Sequence, residues 1–140
     1  MKTKLTLLFV ALFNFSIILE AADIQLNNFE NGSPTVSTKY GASYLNEVNP
    51  SVSGINLSSN CGKIARTSGN WYELIYFPAS FSVPASSTKY VHIMVKYHAQ
   101  PDIAIRVDAS SAGGDGSSDI RPINKYVNYG QWQDMVFAIS

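Results

Sequence analysis

Between Tyr90 and Asp108, apolar side chains recur at every second position. Val91, Ile93, Val95 and Tyr97 fall on one face of an extended chain, and His92, Met94, Lys96 and His98 fall on the other. After Pro101 the pattern resumes, with Ile103, Ile105 and Val107 set against Ala104, Arg106 and Asp108. A period of two is the signature of a half-buried β-strand. Past residue 22, no segment sustains the 3.6-residue apolar period of a helix. The chain is therefore predicted to be all-β.

Further strands are predicted over 24–29, 44–48, 62–67, 71–77, 120–123 and 131–139. The stretch Trp71 to Phe77 is apolar on both faces except at Glu73, which predicts a central strand covered on both sides. Pro78 and Pro84 bracket Phe81 and Val83, marking an edge or corner. Turns are predicted at Asn31-Gly32-Ser33-Pro34, across 49–54 and at Asn128-Tyr129-Gly130. The Ser- and Gly-rich run 110–118 reads as a surface loop. Short strands joined by turn-rich loops predict a sandwich or barrel rather than a βαβ fold.

The first 22 residues read differently. Lys2 and Lys4 precede an almost wholly apolar run from Leu5 to Leu19, and Ala21 and Ala22 follow. A basic start, an apolar centre and small residues predict a cleavable signal peptide, residues 1–22, with a retained anchor as the alternative. The apolar run falls short of the roughly 20 residues that span a bilayer. A secreted or cell-surface domain over 23–140 is expected, with no membrane contact after cleavage. Its one cysteine, Cys61, has no partner for an internal disulfide and reads as a buried structural thiol. The chain stops directly after the strand ending at Ile139, which predicts a C-terminally incomplete sandwich and neighbouring domains in a longer product.

Ten acidic and ten basic residues cancel. Binding to nucleic acid needs a surplus of Lys and Arg to neutralise phosphates, so that class is set aside. A weakly charged surface rich in Ser, Asn, Thr and Tyr suits an uncharged, hydroxylated partner. For catalysis the sequence offers no G-x-S-x-G elbow, no Gly-rich phosphate loop and no H-E-x-x-H. His92 and His98 have no Cys or acidic partner at zinc spacing. Glu73 and Asp108 are two carboxylates that nothing in their spacing pairs, and Glu73 reads better as a local ion pair or rim contact. The stretch Asp115-Gly116-Ser117-Ser118-Asp119 opens like a calcium loop. It then places Ile120 where Gly is needed and Tyr126 where the bidentate acid belongs.

One set of segments resembles a known family. Phe29-Glu30, Asn49-Pro50, Ser53-Gly54-Ile55-Asn56, Gly62-Lys63-Ile64-Ala65-Arg66 and Trp71 begin it. Lys89 through Lys96 and Gly130-Gln131-Trp132 continue it. Together they look like secreted bacterial jelly-roll domains of the galactose-binding-like or carbohydrate-binding-module type, often attached to glycoside hydrolases. The resemblance implies a jelly-roll β-sandwich and a non-catalytic domain that holds a neighbouring module near a polysaccharide or other glycan. It also implies that an early acid, here Glu30, helps hold a structural Ca²⁺. Similar domains supply a late aspartate from a closing strand that this sequence lacks.

Sugar recognition rests on aromatic rings, because a pyranose presents a C–H face that stacks on a phenol or indole while its hydroxyls bond polar side chains. Trp71 and Trp132 read as core. Tyr126 and Tyr129, in a polar turn region, are expected to form an exposed platform. Tyr90 and His92, opposite the Val91 face, are expected to line a concave sheet face with Arg106. Two alternatives stand beside a carbohydrate-binding domain. One is a structural or adhesion sandwich whose aromatics are all buried, and the other is the N-terminal part of a secreted glycoside hydrolase.

Overall fold

The computed structural model describes residues 23–70, 72–108 and 119–140. The expected signal peptide, Trp71 and the 110–118 loop, with all of the calcium-like stretch but Asp119, lie outside the described residues. Six strands and no helix are found among the described residues: β1 (Ser37–Lys39), β2 (Ala42–Val48), β3 (Asn60–Arg66), β4 (Leu74–Tyr76), β5 (Lys89–Lys96) and β6 (Trp132–Ile139). They pair antiparallel in three two-stranded sheets, β1 with β4, β2 with β3, and β5 with β6.

The β5–β6 pair carries the core. Its register sets Val91 opposite Phe137, Ile93 opposite Met135 and Val95 opposite Gln133. Along β6 burial alternates without a break: Gln133, Met135, Phe137 and Ile139 are buried, and the residues between them are half-buried. Two isolated bridges extend this layer. Pro122 pairs with Phe137, and Ile105 pairs with Ile120. Tyr126, Met135 and Phe137 form the buried centre, with Val91, Ile93, Val95, Ile103, Ile105 and Ile120 packed against it. The inward face predicted from period-two alternation is the face that is buried. Ile103 and Ile105 join it without a continuous ladder of their own. Each large apolar side chain brought into this cluster contributes about 1.5–3 kcal/mol.

Polar side chains hold the connection that runs into β6. Asn124 behaves like a piece of strand: its Oδ1 accepts from the Val136 N–H at 2.9 Å, and its Nδ2 donates to the Asp134 carbonyl at 2.8 Å. Gln133 is buried yet fully engaged. Its Oε1 accepts from the N–H groups of Val127 and Asn128, at 2.7 and 3.0 Å, and its Nε2 donates to the Lys125 carbonyl at 2.6 Å. Tyr126, expected on an exposed platform, is instead only 1% exposed. Its hydroxyl accepts from the Tyr97 N–H at 2.7 Å and lies 2.9 and 2.8 Å from the carbonyls of Tyr97 and Gln131, the acceptors for its proton. The correction has a plain cause. A buried phenol is tolerated where its hydroxyl reaches backbone partners, and three are in reach here.

The β2–β3 pair is more open. Phe29 lies against Gly62, where an added Cβ would come within 2.8 Å of the ring, and Tyr44 lies nearby. Only glycine permits that approach. Asn49 joins the two halves of the chain. It is buried, its Nδ2 donates to the Ser58 carbonyl, and its Oδ1 accepts from both the Ser51 N–H and the Trp132 indole N–H. Cys61 is buried and unpaired, as read from the sequence. Burial pushes its thiol up, and the Glu47 charge adds to that.

The expected strands over 103–108 and 120–123 reduce to isolated bridges, and two more take another form. Over 24–29 no strand forms. Asn27 Oδ1 accepts from the Phe29 N–H and Asn28 Oδ1 from the Glu30 N–H, so the side chains turn the backbone on themselves in place of a ladder. The expected central strand over 71–77 shrinks to the three residues of β4, paired with β1 alone, and Tyr76 is exposed. Just before it, Glu73 turns back onto the N–H groups of Thr67 and Ser68, which delays entry into the sheet. Tyr97, expected on the Val91 face, lies beyond the end of β5 and is exposed.

This packing predicts an uneven response to truncation. Phe137→Ala should destabilise the protein by about 3–5 kcal/mol, the usual loss for a buried aromatic ring. Tyr90→Ala, on the opposite face, should stay within about 0.5 kcal/mol. The measurement is the urea midpoint of each variant at constant m-value.

Candidate functional site

The face of the β5–β6 layer turned away from the core presents Tyr90, His92 and Met94 from β5. Their neighbours on β6 follow from the register: Tyr90 is opposite Ala138, His92 opposite Val136, and Met94 opposite Asp134. The two bridges extend the same face. Ile105 and Ile120 point to the core, so Arg106 and Arg121 point away from it. Tyr90, His92 and Arg106 thus share one face of the layer. Tyr90 is 59% exposed, and its cross-strand neighbour Ala138 leaves the ring above a low floor.

The polar groups of this face are turned toward one another. His92 Nδ1 lies 2.7 Å from Asp134 Oδ2. The second oxygen of Asp134 is covered and takes no hydrogen bond. The Arg106 guanidinium meets Asp108 at 2.7 Å, and Arg121 is paired with Asp102. Asp134 is a member that sequence reasoning missed. Its signal was present in the alternation of β6, but placing it beside His92 needs the register of two strands that lie far apart in the chain.

Tyr129 is 59% exposed in the turn predicted for it. The Gln131 N–H closes that turn on the Asn128 carbonyl at 2.9 Å, and Gly130 takes the positive φ of 76° that a type II turn requires at its third position. The Tyr129 ring lies 5.8 Å from that of buried Tyr126. Tyr97 and His98 stand next to this turn, their ring centroids 4.3 Å apart, and the Gly130 N–H donates to the Tyr97 carbonyl at 2.6 Å. Neither ring was singled out for this role from sequence, because alternation carried Tyr97 inward with β5.

Glu30 lies in a loop before β1. Its Oε1 accepts from the backbone N–H of Asn60 at 2.9 Å, and its Oε2 accepts from the Asn60 amide at 2.8 Å. Those donors hold the carboxyl below the usual carboxylate range, against the upward push of burial. The groups facing Glu30 are amide N–H donors, which attract a carboxylate and repel a cation. The arrangement makes a staple between this loop and β3. Among the described residues no three His, Cys, Asp or Glu side chains gather as a metal site.

Glu73 makes a second staple. Burial raises its pKa, but the Ser68 hydroxyl, the N–H groups of Thr67 and Ser68, and nearby Arg66 outweigh that and hold it below the usual range. Its side chain is 1% exposed, covered by its own turn. This bears out the sequence reading of Glu73 as a local contact.

No family model matches the chain, and neither does any curated protein or solved structure. Among the described residues no helix is long and apolar enough to cross a membrane.

Both staples have depressed folded-state pKa values, which fixes the sign of their linkage. Their contribution to stability is whole above the ordinary carboxylate range and is lost as pH falls through and below it. Glu30→Gln should therefore lower the urea midpoint at pH 7 and flatten its decline between pH 6 and pH 3. A rise in Tm on adding Ca²⁺, abolished by the same substitution, would assign Glu30 to a calcium site.

Proposed function

We propose that this chain is a secreted, non-catalytic carbohydrate-binding or accessory domain of a larger extracellular protein, exported by residues 1–22 and built as a jelly-roll sandwich. The observation that carries this reading is the exposure of Tyr90 and Tyr129. Both rings stand clear of the core, Tyr90 on the outer face of the β5–β6 layer and Tyr129 in the turn at its end. A stable fold with no partner for such rings has little reason to keep them outward. Their shape and amphipathic character suit the C–H face of a sugar. The balanced charge of the chain suits a neutral polysaccharide.

Leu45, Val48, Leu57 and Ile64, all on or beside the β2–β3 pair, are also exposed. These apolar side chains support the view that further strands or a neighbouring domain complete the sandwich. A structural or adhesion role without a sugar site would suit a surface whose aromatics are all buried, and Tyr90 and Tyr129 speak against it.

The direct test is native affinity electrophoresis of the full-length protein in gels containing xylan, mannan, galactan or β-glucan. Retardation is expected in at least one gel at micromolar to millimolar affinity, strengthened when the protein is presented multivalently. Unchanged mobility in every gel would remove the reading.

A further inference from the structure

On the β5–β6 layer exposed rings occur in two places, and their surroundings differ. On the sheet face around Tyr90, the polar side chains are engaged in pairs: His92 with Asp134, Arg106 with Asp108 and Arg121 with Asp102. A sugar arriving there would find hydrogen-bonding groups already committed to each other. At the end of the layer the situation is reversed. The segments 97–101 and 127–131 contain no Asp, Glu, Lys or Arg. They present Tyr97 at 45% and Tyr129 at 59% exposure, with His98 packed on Tyr97. The side-chain amides of Asn128 and Gln131 beside them are exposed, and neither makes a hydrogen bond to a described residue.

The backbone beneath these rings is fixed. The Tyr97 N–H donates to the Tyr126 hydroxyl, and the Tyr97 carbonyl accepts from the Gly130 N–H. Gln133 holds the backbone of Val127 and Asn128 from below. Two loops are thereby joined, and the rings they carry need little ordering when a ligand arrives. Rigid aromatic side chains on a fixed backbone give contact area at low entropic cost.

We propose that this ledge of Tyr97, His98 and Tyr129, flanked by Asn128 and Gln131, is the ligand-binding site and takes an uncharged pyranose unit of a polysaccharide. The proposal rests on the carbohydrate-binding reading above and names the place and the chemical class. The rings cover the C–H face of the sugar, and the free amides meet its hydroxyls. The absence of formal charge in both segments gives no purchase to a uronate or a sulfate ester.

The test uses the full-length protein in affinity electrophoresis against xylan, mannan, galactan and β-glucan, with polygalacturonate and carrageenan as charged comparators. Tyr97→Ala and Tyr129→Ala should each weaken retardation about tenfold or more, the scale of losing one stacked ring. Tyr76→Ala, at an exposed ring on β4, should leave it within about twofold. Both ledge side chains are exposed, so an unchanged thermal midpoint verifies that the variants fold. Retardation lost in Tyr90→Ala but kept in both ledge variants would overturn the ledge while leaving the carbohydrate role intact. Retardation by polygalacturonate or carrageenan alone would overturn the uncharged class. A wild-type protein retarded by none of the six would remove the ledge and the functional reading together.

Discussion

The buried amide of Gln133 is the interaction on which the main layer depends. An unpartnered amide in an apolar centre costs several kcal/mol, so a buried Gln persists only where its hydrogen-bonding capacity is met. Here both acceptor positions and an N–H are taken by the backbone of one short segment, Lys125 to Asn128. That segment has no strand of its own. Its N–H and carbonyl groups would otherwise face the core edge of β6 with nothing to bond. Gln133 thus settles two debts of desolvation at once and brings Tyr126 into the position where its ring packs against Met135 and Phe137.

The strands that carry alternating patterns were legible. Val91, Ile93, Val95, Ile103 and Ile105 point where the period of two predicts, and β6 is the cleanest case in the chain. Less legible was whatever depends on a competing local bond. Residues 24–29 look like a strand in hydropathy, yet Asn27 and Asn28 turn the backbone with their own side chains. Tyr126 looked like a turn residue because its neighbours Lys125, Asn128 and Gly130 are polar or flexible. Only the approach of Tyr97 and Gln131 in space makes a buried hydroxyl tolerable there, and no linear pattern records it. Of the proposed surface, Tyr90, His92 and Arg106 share a face as alternation implied, while Tyr97 and His98 emerged only once the end of β5 was known.

The two halves of the chain differ in how they are held. Around β6, apolar burial and satisfied polar groups act together. Around β2 and β3, the tie is largely through single side chains: Glu30 to Asn60, Phe29 on Gly62, and Asn49 to Trp132. Local opening is expected to begin where few apolar contacts must be broken, so the N-terminal half is the more readily loosened and the β5–β6 layer the more persistent.

The hold of Gln133 on its neighbours reaches only main-chain atoms. Lys125, Val127 and Asn128 contribute a carbonyl or an N–H to it, and their own side chains take no part. Those three positions can therefore be rewritten over evolutionary time without loosening what lies underneath. A lineage of such folds can redraw this rim by exchanging residues on it, leaving the glutamine and the tyrosine that support it untouched.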